Sequence, residues 1–84
     1  MNDKILITVE VPMIDESFDI FIPINKKMGT IRKIIINTIN ELSDSSLVDT
    51  DKLNLYIKDT FELCNLNGYI ANTNIKNGCK LVLM

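Results

Sequence analysis

The chain has 84 residues, with 9 basic and 11 acidic side chains for a net charge of -2, 46% apolar residues, and no His or Trp. A chain of that length forms one domain, because it buries only about 60–65% of the surface its unfolded form exposes. Without imidazole there is no Ser-His or Cys-His nucleophile pair, no unperturbed base near neutral pH and no His-containing zinc site. The slightly acidic balance gives no bulk attraction for phosphate, so nucleic-acid binding is not expected.

The N-terminus opens on Met-Asn-Asp-Lys and runs into an alternating segment, with no long apolar stretch and no lipidation pattern. The expectation is therefore a cytoplasmic chain with neither signal peptide nor membrane span.

From Lys4 to Val11 the apolar residues alternate, with Ile5, Ile7, Val9 and Val11 on one side and Leu6, Thr8 and Glu10 on the other, the pattern of a half-buried strand. After a break at Pro12 to Glu16, a second alternating run from Ser17 places Phe18, Ile20, Ile22 and Ile24 on one face. Together the runs predict an N-terminal hairpin. Pro23 cannot donate to a ladder, so the second strand belongs at a sheet edge.

The period then changes. Thr30 is the expected helix N-cap, and apolar residues at 31, 34, 35, 39 and 42 predict a helix over Ile31 to Leu42. Its β-branched isoleucines are mediocre helix formers, so it should depend on packing against a sheet. Ser43 to Asp51 reads as a polar loop anchored by Leu47 and Val48. Lys52 to Lys58 and Phe61 to Cys64 read as a third and a brief fourth strand around an Asp59-Thr60 turn. Asn67-Gly68 and Asn77-Gly78 are turn signals, with Leu66, Tyr69, Ile70 and Ile75 as the expected anchors. Leu81 to Met84 is the last strand.

The order β-β-α-β-β-turn-β, closing on Ile75-Lys76-Asn77-Gly78-Cys79-Lys80-Leu81, resembles the ubiquitin-like β-grasp fold, with Ile-x-x-Gly-x-x-Leu at 75, 78 and 81 as its most specific piece. The resemblance implies an α+β domain over residues 1–84, one helix packed on a mixed sheet of four to five strands in the order 2-1-5-3, the last strand parallel to the first. Within that fold the chain is most similar to the small stand-alone group typified by YukD and EsaB, accessory proteins of type VII secretion systems in Gram-positive bacteria. The similarity rests on Ile5-x-Ile7-x-Val9, on Phe18-Asp19-Ile20-Phe21-Ile22-Pro23 and on the Ile-rich helix. Gly78 is followed by Cys79 where relatives often have Asp.

This resemblance implies a non-enzymatic adaptor or regulator that acts by protein–protein binding, without cofactor or membrane insertion, on membrane or ATPase components of the secretion system. Conjugation and sulfur carriage need a Gly-Gly tail, whereas the sequence ends Leu81-Val82-Leu83-Met84. The alternative is a truncated ubiquitin-like or sulfur-carrier protein, the substrate of an activating enzyme. No catalytic or metal-ligating set emerges.

Ubiquitin-like domains bind partners through the open face of the sheet. Alternation puts Leu6, Thr8, Phe21, Tyr56, Val82 and Met84 there, with Val82 and Met84 expected beside Leu6. Contiguous exposed apolar surface of this kind marks an interaction site; the other readings are scattered surface hydrophobes, a register slip, or a homodimer through the same face. Lys26, Lys27, Arg32 and Lys33 cluster at the helix start, where cations oppose the helix dipole. Asp15, Glu16 and Asp19 form one acidic group and Asp44, Asp49 and Asp51 another, neither with the spacing of a calcium loop. Cys64 and Cys79 read as small buried hydrophobes in a reducing compartment.

Overall fold

The computed structural model describes residues 3–43 and 52–84. The predicted loop anchors Leu47 and Val48, and the acidic group Asp44, Asp49 and Asp51, lie outside the described residues.

Strand β1 (Lys4–Val11) turns through a 3-10 segment at Pro12–Ile14 into β2 (Glu16–Pro23). Helix α1 (Met28–Leu42) follows, then β3 (Leu55–Ile57), β4 (Glu62–Leu63), a 3-10 turn at Ile70–Asn72 and β5 (Lys80–Leu83). The five strands form one sheet in the order β2-β1-β5-β3-β4. β1 pairs antiparallel with β2 and parallel with β5, and β3 is antiparallel to both β5 and β4. One helix packed on a five-stranded mixed sheet is the expected α+β architecture.

The alternating residues fall as the pattern requires. Ile7, Val9 and Val11 of β1, Ile20 and Ile22 of β2, Leu55 of β3, and Leu81 and Leu83 of β5 face α1 and are buried. Pro23 sits on the edge strand. Ile24 donates its N–H to the Asp3 carbonyl at 2.8 Å, so the antiparallel alternation turns the nitrogen of Pro23 toward the open edge, where the missing N–H costs no ladder bond.

The helix differs from its prediction at both its start and its face. It begins at Met28, with Lys27 as N-cap and no side-chain cap, so Thr30 lies inside the first turn. The cap comes instead from a distant loop: Met28 N–H donates to the Gly68 carbonyl at 2.8 Å and Gly29 N–H to Leu66 at 2.9 Å. Backbone carbonyls thus satisfy two of the orphan donors that a capping side chain normally serves. Gly29 fits this approach because a Cβ there would stand 3.2 Å from the Leu66 carbonyl oxygen. The buried face is Met28, Ile31, Arg32, Ile35, Ile36 and Ile39, rotated from the predicted stripe so that Ile34 is half-buried and Leu42 exposed.

Arg32 is therefore no member of a solvated basic cluster. Its side chain is buried and its Nε donates to the Leu53 carbonyl at 2.7 Å, tying the helix to the segment that enters β3. Among the predicted loop anchors Ile70 and Ile75 are buried, but Leu66 and Tyr69 are exposed. The anchoring of Leu66 is done by its backbone, through Gly29.

The loop before β5 is fastened to β1 by three bonds, one of them from the Thr8 N–H to the Cys79 carbonyl at 3.0 Å. Asn77 Oδ1 accepts the Leu6 N–H at 2.8 Å, and Gly78 N–H donates to the Leu6 carbonyl at 2.7 Å. Gly78 has φ +87, a left-handed backbone that a side chain would strain.

Cys64 and Cys79 are free thiols, the first buried and the second half-buried. Burial, with smaller contributions from Cys79 and Glu62, pushes the Cys64 thiol up from 9.0 to about 11, so it is a packing residue with little thiolate at neutral pH.

Two stability outcomes follow from these contacts. Arg32→Met keeps the aliphatic stem but leaves the Leu53 carbonyl short of its buried donor, and should lower unfolding free energy by about 1–3 kcal/mol in urea titration. For Cys64 the folded thiol gives up its proton at higher pH than the unfolded one. Its contribution is complete below about 9 and is lost as pH rises to about 11, a fall of roughly 2–3 kcal/mol. Melting curves at pH 8 and 11 should show a smaller drop for Cys64→Val than for the native chain; equal drops would refute the assignment.

Candidate partner-binding face

The face of the sheet away from α1 is built in rows by the strand registers. Leu6 stands opposite Phe21, Thr8 opposite Asp19, and Glu10 opposite Ser17. Across the parallel pairing, Thr8 lies beside Lys80 and Glu10 beside Val82. Val82 then faces Tyr56, and Tyr56 faces Leu63 on β4.

This register corrects the predicted neighbourhood of Leu6. Gly78, not Val82, lies level with Leu6, and Val82 is four residues farther along, about 13 Å at strand rise. All six residues named from the sequence, Leu6, Thr8, Phe21, Tyr56, Val82 and Met84, do belong to this face, but they do not form one stripe. At one end Leu6 is half-buried beside Phe21, which is 61% exposed. At the other, half-buried Tyr56 adjoins Leu63, and Met84, 45% exposed, exchanges both backbone bonds with Asn54 at 2.8 and 2.9 Å.

Polar side chains separate the two ends. Thr8 Oγ1 donates to Asp19 Oδ1 at 2.7 Å, which occupies both residues. Lys80 follows on β5. Glu10 on β1 and Lys58 after β3 form an ion pair that reaches across β5. Val82, flanked by Glu10 and Tyr56 beneath this bridge, is only 4% exposed although it lies outside the core cluster. It therefore supports the face from below and offers a partner almost no surface.

Leu63, 61% exposed, was missed in the sequence. Its position two residues after the Asp59-Thr60-Phe61 turn puts it across from Tyr56 once the β3–β4 pairing is drawn, and that pairing is the signal that would have found it. Phe61 completes the turn with φ +55.

Of the basic residues at the helix start, Lys26, Lys27 and Lys33 are exposed. Asp15 and Glu16 are exposed at the hairpin turn, where Asp15 takes a left-handed backbone with φ 54. Among the described residues no group of three or more His, Cys, Asp or Glu is placed to hold a metal ion, and no helix is long and apolar enough to cross a membrane. The arrangement exposes apolar side chains framed by polar ones.

No protein-family model and no curated protein matches this chain. Solved structures do. The N-terminal ubiquitin-like domain of the 4931431F19Rik protein superposes with a TM-score of 0.75 at 15% identity, over 100% of this chain and 76% of that one. The EccD5 ubiquitin-like domain from Mycobacterium xenopi gives 0.71 at 13% identity, over 99% of this chain and 94% of that one. A chain of the MycP5-free ESX-5 inner membrane complex gives 0.72 at 12% identity, over 99% of this chain but 21% of that one. With its helix, its five-stranded order and these likenesses, the chain has the ubiquitin-like β-grasp fold.

Proposed function

We propose that the chain is a non-enzymatic ubiquitin-like adaptor of a type VII secretion system of the YukD and EsaB kind, acting from the cytoplasm of a Gram-positive bacterium on membrane or ATPase components of the apparatus. The observation that carries this reading is the end-to-end likeness to the EccD5 domain, which spans nearly all of both chains. The fold also recurs within a chain of an ESX-5 inner membrane complex. Fold likeness alone does not transfer function, so the reading rests equally on the outer sheet face.

That face offers two apolar contacts framed by polar residues. Leu6 and Phe21 make one, and Tyr56, Leu63 and Met84 the other. Thr8, held by Asp19, marks the margin of the first, and Val82 underlies the second. Aromatic and large apolar side chains with a polar rim are the anatomy of a protein–protein interface.

Wild-type bait in a lysate of the source cells should recover secretion-system membrane or ATPase proteins. Phe21→Asp and Leu63→Asp place a charge where each partner contact would be desolvated, and each should reduce recovery by about tenfold or more with an unchanged circular dichroism spectrum. No secretion component with wild type would sink the adaptor reading, and equal recovery by all three baits would sink the face. Intact mass of the native protein tests the carrier alternative, since a tail leading to Gly-Gly adds to the mass of the 84 residues.

A further inference from the structure

Helix α1 carries the wrong charges at both ends. Its first turn has no acidic residue and its last turn no basic one. Lys26 and Lys27 stand at its start, Lys33 follows in its second turn, and Glu41 stands at its end, all exposed. A helix start behaves as a partial positive charge and its end as a partial negative one, so these side chains add to the dipole where side chains usually offset it.

The rest of the fold extends the separation. Glu16 Oε2 accepts a hydrogen bond from Ser43 Oγ at 3.4 Å, which brings the hairpin turn, with exposed Asp15 and Glu16, to the acidic end of α1. At the opposite end Lys27 is bridged to Tyr69. Asp3 adds one opposite charge there, so the sorting is a strong bias. A helix of 15 residues holds the two ends about 22 Å apart.

Each end also exposes apolar side chains. Leu66 and Tyr69 are 44% and 42% exposed at the basic end, and Met13 and Leu42 are 60% and 62% exposed at the acidic end. Each end thus has apolar area beside charge predominantly of one sign, and the two signs are opposite.

We propose that the chain associates head to tail with a second copy of itself, the Lys26 and Lys27 end of one molecule seated on the Glu16 and Glu41 end of the next. Charge complementarity selects a second copy because both halves of the match are in the one chain, and a net charge of only -2 sets little long-range repulsion between copies. The two ends point away from each other, so the contact is heterologous and each added molecule leaves one end of each kind free, which gives rings or filaments in place of a closed two-fold dimer.

Sedimentation velocity of the whole chain across a concentration series tests this. At about 20 mM salt the weight-average mass should rise with concentration, and at about 500 mM it should return to the monomer as the charges are screened. Lys26→Glu with Lys27→Glu, and separately Glu16→Lys with Glu41→Lys, should each weaken association by about tenfold or more. An equimolar mixture of the two should restore it, because one variant then has two acidic ends and the other two basic ones. All four changes sit at exposed positions, and Lys26→Glu, Lys27→Glu and Glu41→Lys favour the helix dipole, so the melting temperature should hold. If either charge-reversed variant fails to fold, the neutral pairs Lys26→Gln with Lys27→Gln and Glu16→Gln with Glu41→Gln should each lose association, with no restoration on mixing. A monomer at every concentration in low salt overturns the proposal, as does a mixture of folded reversed variants that stays monomeric, or association that survives reversal of one end. Salt-sensitive capture of an unrelated acidic protein without self-association overturns the choice of a second copy. Phe21→Asp and Leu63→Asp should leave self-association intact, which keeps this result separate from that of the sheet face.

Discussion

The parallel pairing of β1 with β5 is the contact on which the rest of the molecule depends. It joins the two extremes of the sequence, with Val9 beside Leu81, and it inserts β5 between the N-terminal hairpin and the β3–β4 pair. Without it the sheet falls into two two-stranded pieces, and a two-stranded hairpin by itself is marginally stable at best in water. Closing so long a loop is entropically costly, and the fold meets that cost with an apolar interior in which Ile7, Val9, Leu81 and Leu83 are buried in one cluster with Ile31, Ile35 and Ile39 of α1. The Leu6 backbone, whose N–H donates to Asn77 Oδ1 and whose carbonyl accepts from Gly78, fixes where along β1 the last strand begins.

That one register also explains what the sequence showed of the candidate face and what it hid. Alternation in steps of two says which side of a strand a residue takes, and for Leu6, Thr8, Phe21, Tyr56, Val82 and Met84 the side was legible. Position along a parallel neighbour is not contained in alternation, because the offset is set by the turn that precedes the strand. Gly78 and Asn77 set it so that Val82 lies four residues beyond the position expected for it beside Leu6. Exposure was equally hidden. Val82 is only 4% exposed between Glu10 and Tyr56, and Glu10 is ion-paired with Lys58, 48 residues away in sequence, with nothing in the neighbourhood of either to show that the two meet.

The start of the helix was unreadable for a related reason. Local rules look for a capping side chain within a few residues, and Thr30 satisfies them. The orphan donors of α1 are instead served by Gly68 and Leu66, from a loop about forty residues downstream that only the folded sheet delivers there. Arg32 is similar. A charged residue on a helix face reads as solvated, yet its stem occupies a core position and its Nε serves the Leu53 carbonyl. An arginine is suited to this role because its planar guanidinium can donate in several directions. The hairpin, the edge position of Pro23 and the core strands, by contrast, follow from periodicity and from the chemistry of single residues, and they were legible.

How this domain meets other molecules is constrained as much by its sheet edge as by its faces. β2 is an eight-residue edge strand, the length at which open N–H and C=O groups invite another strand. By the antiparallel alternation the groups turned outward belong to Ser17, Asp19, Phe21 and Pro23. Pro23 has no N–H to give, and Asp19 places a carboxylate midway along the strand, so any strand added there meets a gap and a charge. With the β2 edge blunted, the surfaces proposed for docking are made of side chains, on the outer face and at the charged ends of α1. The face lies on one side of the sheet and the ends lie at the tips of a helix on the other side. On the two proposals, a partner seated on Phe21 and Leu63 would leave Lys26 and Glu41 uncovered, and one domain would hold a partner and a neighbouring copy at the same time.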